Sequence, residues 1–138
     1  MSVELYWHIH QLAFTLEKRA DEALKHQTSI GFAQYKVLAA VARNNLAKQN
    51  VIAELLNQTE ASISRQVKIL ERKSLLHIGT VMGNRRAREL VLTEMGEFEL
   101  RQAEHIVEVV QQQILVGLST SEQQILESLL EKNRLKAN

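Results

Sequence analysis

The chain has 138 residues, of which 45% are hydrophobic and 24% charged, and its formal net charge is +1. This length and composition predict one globular domain with a real core. The absence of cysteine and proline excludes disulfides and thiol chemistry and leaves room for long helices. No apolar run approaches the roughly 18 residues of a membrane span, and the first residues lack the basic segment of a signal peptide. We therefore expect a cytoplasmic protein without membrane contact.

Apolar residues at three- and four-residue steps predict a first helix over residues 3–25. Its apolar stripe consists of Leu5, Ile9, Leu12, Leu16, Ala20 and Ala23.

The next two helices are shorter. Gly31 is the predicted N-cap of a helix over residues 32–44, with its core positions at Phe32, Tyr35, Val37, Leu38 and Val41. A third helix over residues 50–57 should direct three side chains inward, namely Ile52, Leu55 and Leu56.

The fourth helix has the clearest division into two faces. Thr59 is its predicted N-cap, and we expect it to run over residues 60–73. On a helical wheel, one face is apolar and consists of Ile63, Val67 and Leu70. The opposite face consists of Ala61, Arg65, Lys68 and Arg72, with Ser62 and Ser64 on the flanks. Such a helix should bury the first face and leave the second for solvent or an anion.

After the fourth helix, the spacing of apolar residues changes from a helical pattern to alternation at every second residue, as in a strand. Leu76, Ile78 and Thr80 alternate in one predicted strand, and Leu90 and Leu92 alternate in a returning strand. Residues 82–84 form the predicted turn between them. The result is a β-hairpin with three arginines at its tip and along its return arm, Arg85, Arg86 and Arg88.

Two further helices follow. Thr93 is the predicted cap of a fifth helix over residues 94–116, with Gly117 as its end. Its apolar positions are Phe98, Ile106, Val109, Val110 and Ile114. Ser119 and Glu122 form a capping-box pattern that opens a sixth helix, whose apolar positions are Ile125, Leu126, Leu129 and Leu130.

Positive charge is concentrated between Thr59 and Arg88. This block holds seven basic and two acidic residues, so its formal charge is +5 and the rest of the +1 chain carries −4. A basic block on an otherwise acidic protein is typical of a surface that binds a polyanion. A basic helix beside a hairpin predicts a winged helix-turn-helix, in which the helix enters the major groove of duplex DNA and the hairpin reaches the adjacent minor groove.

The outer helices carry more apolar surface than one small lobe could cover. We expect a mainly α fold with six helices, in which residues 1–28 and 94–138 form a dimerisation region and residues 30–93 form the winged DNA-binding lobe. A two-fold dimer would present two recognition helices to successive major grooves.

Several segments resemble the MarR family of bacterial transcriptional regulators. They are residues 34–38, residues 62–73, the stretches 84–87 and 92–96 around the returning strand, and residues 118–122. The order and spacing of these segments extend the resemblance over nearly the whole chain. Three positions depart from the usual pattern: Gly31 replaces a hydroxyl cap, Ser74 stands where glycine is common, and Asn84 replaces an acidic residue that braces the wing.

The resemblance implies a homodimer that binds a pseudo-palindromic operator, usually as a repressor. It also implies that small molecules, often aromatic acids, bind between the dimerisation helices and the winged lobe and weaken DNA binding. The candidate DNA-binding residues are Thr59, Ser62, Ser64, Arg65, Lys68, Arg85, Arg86 and Arg88. Among these, Arg65 is the first candidate for a major-groove contact, to guanine or to a phosphate. Lys68 is the candidate for a phosphate contact, and Arg86 matches the family's wing arginine.

Other interpretations remain open. A winged-helix module could instead dock an acidic protein on its basic face. Scattered histidines predict no metal site, and we expect no cofactor and no enzymatic activity, because the sequence has no cysteine nucleophile and no glycine-rich phosphate loop. Five aromatic residues could line an effector pocket or serve in ordinary packing, which we favour: Tyr6, Trp7, Phe14, Phe32 and Tyr35.

Overall fold

A computed structural model describes residues 2–81 and 84–134 of the chain, with side chains described outside residues 80–88. Over these residues the fold is mainly helical, as predicted, with one antiparallel hairpin. The elements in chain order are α1 (Glu4–Gln27), α2 (Phe32–Arg43), α3 (Gln49–Leu55), α4 (Glu60–Arg72), β1 (Leu76–Val81), β2 (Asn84–Leu92), α5 (Glu94–Ile114) and α6 (Thr120–Lys132). None of the helices described is both long and apolar enough to cross a lipid bilayer.

The core lies between α2, α3, α4 and the hairpin, and it continues onto α5 and the end of α1. The predicted inner face of α4 is fully buried in it. In the hairpin, Leu76 pairs with Leu92 and Ile78 with Leu90, so these four side chains share the inner face. The predicted alternation in the strands is therefore confirmed, while the predicted turn at residues 82–84 and the inward position of Thr80 lie outside the described residues.

The hairpin is also joined to the segment before α3. The amide of Leu90 donates to the carbonyl oxygen of Ala47 at 2.9 Å, and Lys48 forms an isolated antiparallel bridge with Glu89. From the sequence we expected no strand pairing between the second and third helices. These two contacts join β2 to the helical part of the winged lobe.

Gly31 is the N-cap of α2, as predicted, but the capping acceptor comes from α1. The amide of Phe32 donates to Asp21 Oδ1 at 2.9 Å, and Lys25 Nζ lies 2.9 Å from the other carboxylate oxygen. A Cβ at position 31 would lie 2.9 Å from Asp21 Oδ1, so glycine leaves the space that this carboxylate occupies. Both interactions lower the pKa of Asp21 below its ordinary value, and the hydrogen bond from the Phe32 amide has the larger effect.

Much of the outer helices stays exposed in the single chain. In α1 only Ala20 and Leu24 are buried, so the first half of its predicted stripe faces solvent. α6 has no buried residue at all among those described. Its capping box is present, with Ser119 and Glu122 bonded reciprocally at 2.9 and 3.1 Å. Among the apolar side chains of these two helices, those more than half exposed in the protomer include Leu5, Ile9, Ile125, Leu129 and Leu130.

Two predictions are wrong. Leu55 was expected to face inward, but it is 52% exposed. The inner face of α3 consists of Ile52, Ala53 and Leu56. This short helix ends at Leu55, and the chain turns at Asn57, whose φ is 54°. α5 also ends at Ile114 rather than at Gly117, which lies in the following turn.

Candidate nucleic-acid interface

The exposed face of α4 is the centre of the candidate site. Ile63, Val67 and Leu70 are fully buried, and this anchors the helix with its opposite face outward. Arg65, Lys68 and Arg72 are all exposed on that face. Their spacing of three and four residues places them in one row along about two turns of helix.

No acidic side chain neutralises this row among the described residues. The ion pairs found there are Lys25 with Asp21 and Arg134 with Glu131, both remote from α4 in sequence. Exposed cations without a carboxylate partner keep their full charge available for an anion. The row can therefore contact phosphates or the acceptor atoms of bases.

The N-terminus of α4 is organised by its own hydroxyls. Thr59 is the N-cap, as predicted, and its Oγ1 accepts from the amide of Ser62 at 3.1 Å. The hydroxyl of Ser62 donates to Gln58 Oε1 at 3.0 Å. Ser64 is also half-buried. These contacts hold the first turn in place, and they give Thr59 and Ser62 structural roles in addition to the predicted contact with DNA.

Lys73 differs from the other cations of the basic block. It lies just after α4 and is half-buried, and its Nζ donates to the carbonyl oxygen of Ser29 and to Gln34 Oε1, the latter at 3.0 Å. Lys73 is one of the seven basic residues between Thr59 and Arg88, but no contact within the fold was predicted for it. A helical wheel carries the signal, because Lys73 follows Gln66 and Ile69 on a flank of α4, away from the row of Arg65 and Lys68.

The three wing arginines lie on β2. The backbone of Arg88 pairs with Thr80 of β1, and Arg85 and Arg86 precede it on the same strand. Their side chains lie outside the described residues, so their contacts with DNA stay predictions. The side chain of Asn84, which stands where the family usually has an acidic residue, also lies outside the described residues.

The five aromatic residues form two groups. On α1, Tyr6 and Trp7 have ring centroids 5.0 Å apart, and both are more than half exposed, as is Phe14. On α2, Phe32 and Tyr35 pack against the core. Burial raises the pKa of Tyr35; the negative charge of Glu104 raises it further, and the positive charge of Arg43 opposes the shift.

Two clefts among the described residues are lined by residues other than these five aromatics. One of about 560 Å³ lies between α1, α5 and α6, with Leu12, Leu16 and Leu115 in its wall. One of about 300 Å³ lies between α2, β2 and α5, with Val41, Leu90 and Arg101 in its wall. None of the five aromatic residues lines either of these two clefts.

The architecture matches that of solved MarR-family structures. Wild-type MarR from E. coli in its apo form superposes with a TM-score of 0.82 at 22% identity, covering 93% of this chain and 94% of that one. A cysteine-to-serine mutant of MarR from E. coli complexed with operator DNA gives 0.80 at 22% identity, covering 94% and 93%. A Mycobacterium tuberculosis MarR family protein complexed with salicylic acid gives 0.78 at 17% identity, covering 93% and 94%.

At these identities the similarity establishes the fold. The chain thus has the MarR winged-helix fold over nearly its whole length. No protein-family model matches the sequence.

Proposed function

We propose that this protein is a homodimeric, sequence-specific DNA-binding transcriptional regulator of the MarR type, acting as a repressor rather than as an enzyme. The observation that carries the proposal is the row of Arg65, Lys68 and Arg72, exposed opposite a fully buried apolar face of α4. The fold supports it, because a relative of the same architecture was solved with operator DNA.

In this proposal, α4 is the recognition helix. Arg65 reads bases in the major groove, since its planar guanidinium matches the two acceptors of guanine. Lys68 binds a phosphate as a point charge, and Thr59, Ser62 and Ser64 lie at the helix end nearest the backbone of the DNA. The wing contributes Arg85, Arg86 and Arg88, with Arg86 in the minor groove.

The dimer is proposed from the uncovered apolar surface. Ile125, Leu129 and Leu130 of α6 are each more than half exposed, as are Leu5 and Ile9 of α1. Burying them against a second copy would remove this surface from water. Residues 1–28 and 94–138 then form the dimerisation region, and residues 30–93 form the DNA-binding lobe.

Analytical ultracentrifugation tests the dimer. Leu129→Lys should shift the protein from dimer to monomer, because it places a charge in the proposed interface. Leu55→Lys is a matched control, since Leu55 is exposed to a similar degree, 52% against 57%, but lies on the winged lobe. A wild-type protein that remains monomeric, or equal effects of the two variants, would refute this interface.

An aromatic acid is the proposed effector class. The relative solved with salicylic acid supports it, and we expect salicylate to weaken DNA binding in titrations. Binding that is unchanged at millimolar salicylate would remove this part of the proposal.

The test of the central function is a gel shift with DNA from upstream of the protein's own gene. We expect a discrete complex that weakens with salt and is lost on charge reversal by Arg65→Glu. Binding no tighter than that of random DNA would refute the proposal. If an acidic protein is captured instead, and Arg65→Glu abolishes its capture, the basic face is a protein-docking surface.

A further inference from the structure

Lys73 links the end of α4 to the segment between α1 and α2. Its ammonium group donates to the carbonyl oxygen of Ser29 and to Gln34 Oε1. Lys73 is therefore hydrogen-bonded within the fold, and its side chain is half-buried. Of the described cations on α4 and at its end, Lys73 is the one whose charge is used inside the fold.

Ser29 is held from the other side by α5. Its amide and its hydroxyl both donate to Glu99 Oε1, each at 3.0 Å. Hydrogen bonds to a charged partner are shorter and stronger than neutral ones. A continuous series of contacts therefore runs from the carboxylate of Glu99 through Ser29 to the ammonium group of Lys73, and on to Gln34.

The segment around Ser29 is itself rigid. The hydroxyl of Thr28 donates to the carbonyl oxygen of Leu24 at 2.8 Å, and the amide of Ile30 donates to Thr28 Oγ1 at 3.1 Å. Ile30 is 1% exposed and belongs to the core. Ser29 thus sits between two well-anchored residues and can transmit position from one element to another.

We propose that Lys73 is a positioning residue that fixes the recognition helix relative to α1 and α5 through Ser29 and Glu99. The inference rests on the proposed function. Base contacts need the helix at one defined angle, and in a dimer they need two helices at one defined spacing. Phosphate contacts tolerate a change of angle better. Releasing the end of α4 should therefore cost specific binding and spare non-specific binding.

A direct phosphate contact by Lys73 predicts something different. Removing a lysine that neutralises a phosphate weakens binding to every duplex and lowers the slope of log affinity against log salt by about one. A positioning residue leaves both the affinity for random DNA and its salt slope unchanged.

The experiment compares Lys73→Met with Lys68→Met by fluorescence anisotropy between about 50 and 200 mM salt, the range over which phosphate contacts show. The probes are the upstream fragment and a random duplex of equal length. Methionine keeps the apolar stem of lysine, so both variants should fold, which circular dichroism checks. We expect Lys73→Met to lose about tenfold in affinity for the upstream fragment, comparable to one lost base contact, with unchanged random binding. We expect Lys68→Met to weaken both and to flatten the salt slope.

Glu99→Ala tests the same series of contacts from the α5 side, because Glu99 accepts the hydrogen bonds of Ser29. It should cause a similar loss of specificity without touching α4, and the double variant with Lys73→Met should lose little more than either single one. If Lys73 contacted phosphate instead, removing the acidic Glu99 would leave specificity unchanged.

The inference is overturned if Lys73→Met behaves like Lys68→Met, if it has no effect, or if Glu99→Ala leaves specificity intact. A wild-type protein that does not prefer the upstream fragment refutes the proposed function itself, and that outcome is separate from these.

Discussion

The side-chain hydroxyl of Thr93 donates a 2.6 Å hydrogen bond to the carbonyl oxygen of Ser74 and so joins the start of α5 to the exit from α4. The same oxygen of Thr93 accepts from the amide of Gly96 at 2.9 Å, which caps α5. Ser74 has a φ of 61°, in the left-handed region that glycine adopts more easily than other residues. Thr93 therefore holds the left-handed turn that follows α4.

Ser74→Gly should stabilise the protein by relieving this strain. We expect about 0.5–1 kcal/mol, since the left-handed cost of roughly 1–2 kcal/mol is partly offset by the greater freedom of glycine in the unfolded chain. Ser74→Ala retains a Cβ and should give no such gain. Urea unfolding of the three proteins measures the difference, and a destabilised glycine variant would show that the turn is unstrained.

Gly96→Ala should destabilise the protein strongly. A Cβ at this position would lie 1.9 Å from the carbonyl oxygen of Leu75, and a backbone atom cannot move aside as a side chain can. We expect a loss of about 1–3 kcal/mol from overpacking. Gly117→Ala is the control, because a Cβ there meets nothing within 4 Å. Thermal unfolding compares them, and equal melting temperatures would contradict the close packing of α5 on Leu75.

The carboxylate of Asp21 should contribute about 1 kcal/mol as the cap of α2. Asp21→Ala removes it, and adding Gly31→Ser should restore most of the loss, because the space vacated by Asp21 lets the serine hydroxyl act as the cap. Unfolding free energies of the single and double variants provide the test. A double variant less stable than Asp21→Ala would show that position 31 requires glycine for another reason.

The contribution of Asp21 should also depend on pH. Its pKa is lowered in the folded state by the amide of Phe32 and by Lys25, so the carboxylate stabilises the fold fully above its ordinary pKa of about 3.9. This stabilisation is lost as the pH falls through the folded value. The difference in stability between wild type and Asp21→Ala should therefore be constant between about pH 6 and 8 and should shrink below about pH 4. A difference that grew on acidification would contradict the assignment.

Arg65 and Lys68 should separate specificity from affinity. Arg65→Ala should cost about 1–3 kcal/mol on the operator and relax the preference at one base pair, if the guanidinium binds guanine through two hydrogen bonds. Lys68→Ala should weaken binding to all sequences and lower the salt slope by about one. Affinities for a set of single-base operator variants distinguish the two, and identical behaviour would contradict this division of roles.

The elements of the fold were predictable because their signals are local. Thr59, Thr93 and Ser119 each cap the helix that the sequence assigned to them, and a hydroxyl before an apolar pattern is a short-range signal. The inner face of α4 followed from periodicity alone. Leu55 was misplaced since a seven-residue helix fits more than one choice of inner face, and tertiary contacts then decide.

The links between elements were not predictable. Asp21 caps a helix that begins eleven residues later, and Lys73 contacts Ser29, 44 residues away. Such contacts depend on how α1, α2 and α4 pack, which the spacing of residues within each helix does not specify. The pairing of Ala47 with Leu90 is of the same kind. The sequence thus indicates which segment is basic, whereas the structure shows that Arg65, Lys68 and Arg72 are exposed and that Lys73 is bound within the fold.

The most direct test of the account is hydroxyl-radical footprinting of the wild-type protein on DNA upstream of its own gene. A two-fold dimer with one recognition helix per protomer predicts two related protected patches centred about 10–10.5 base pairs, or a multiple of that spacing, apart. Protection should disappear with Arg65→Glu. A single patch, patches without symmetry, or protection that survives this variant would contradict the proposal that paired α4 helices bind successive major grooves.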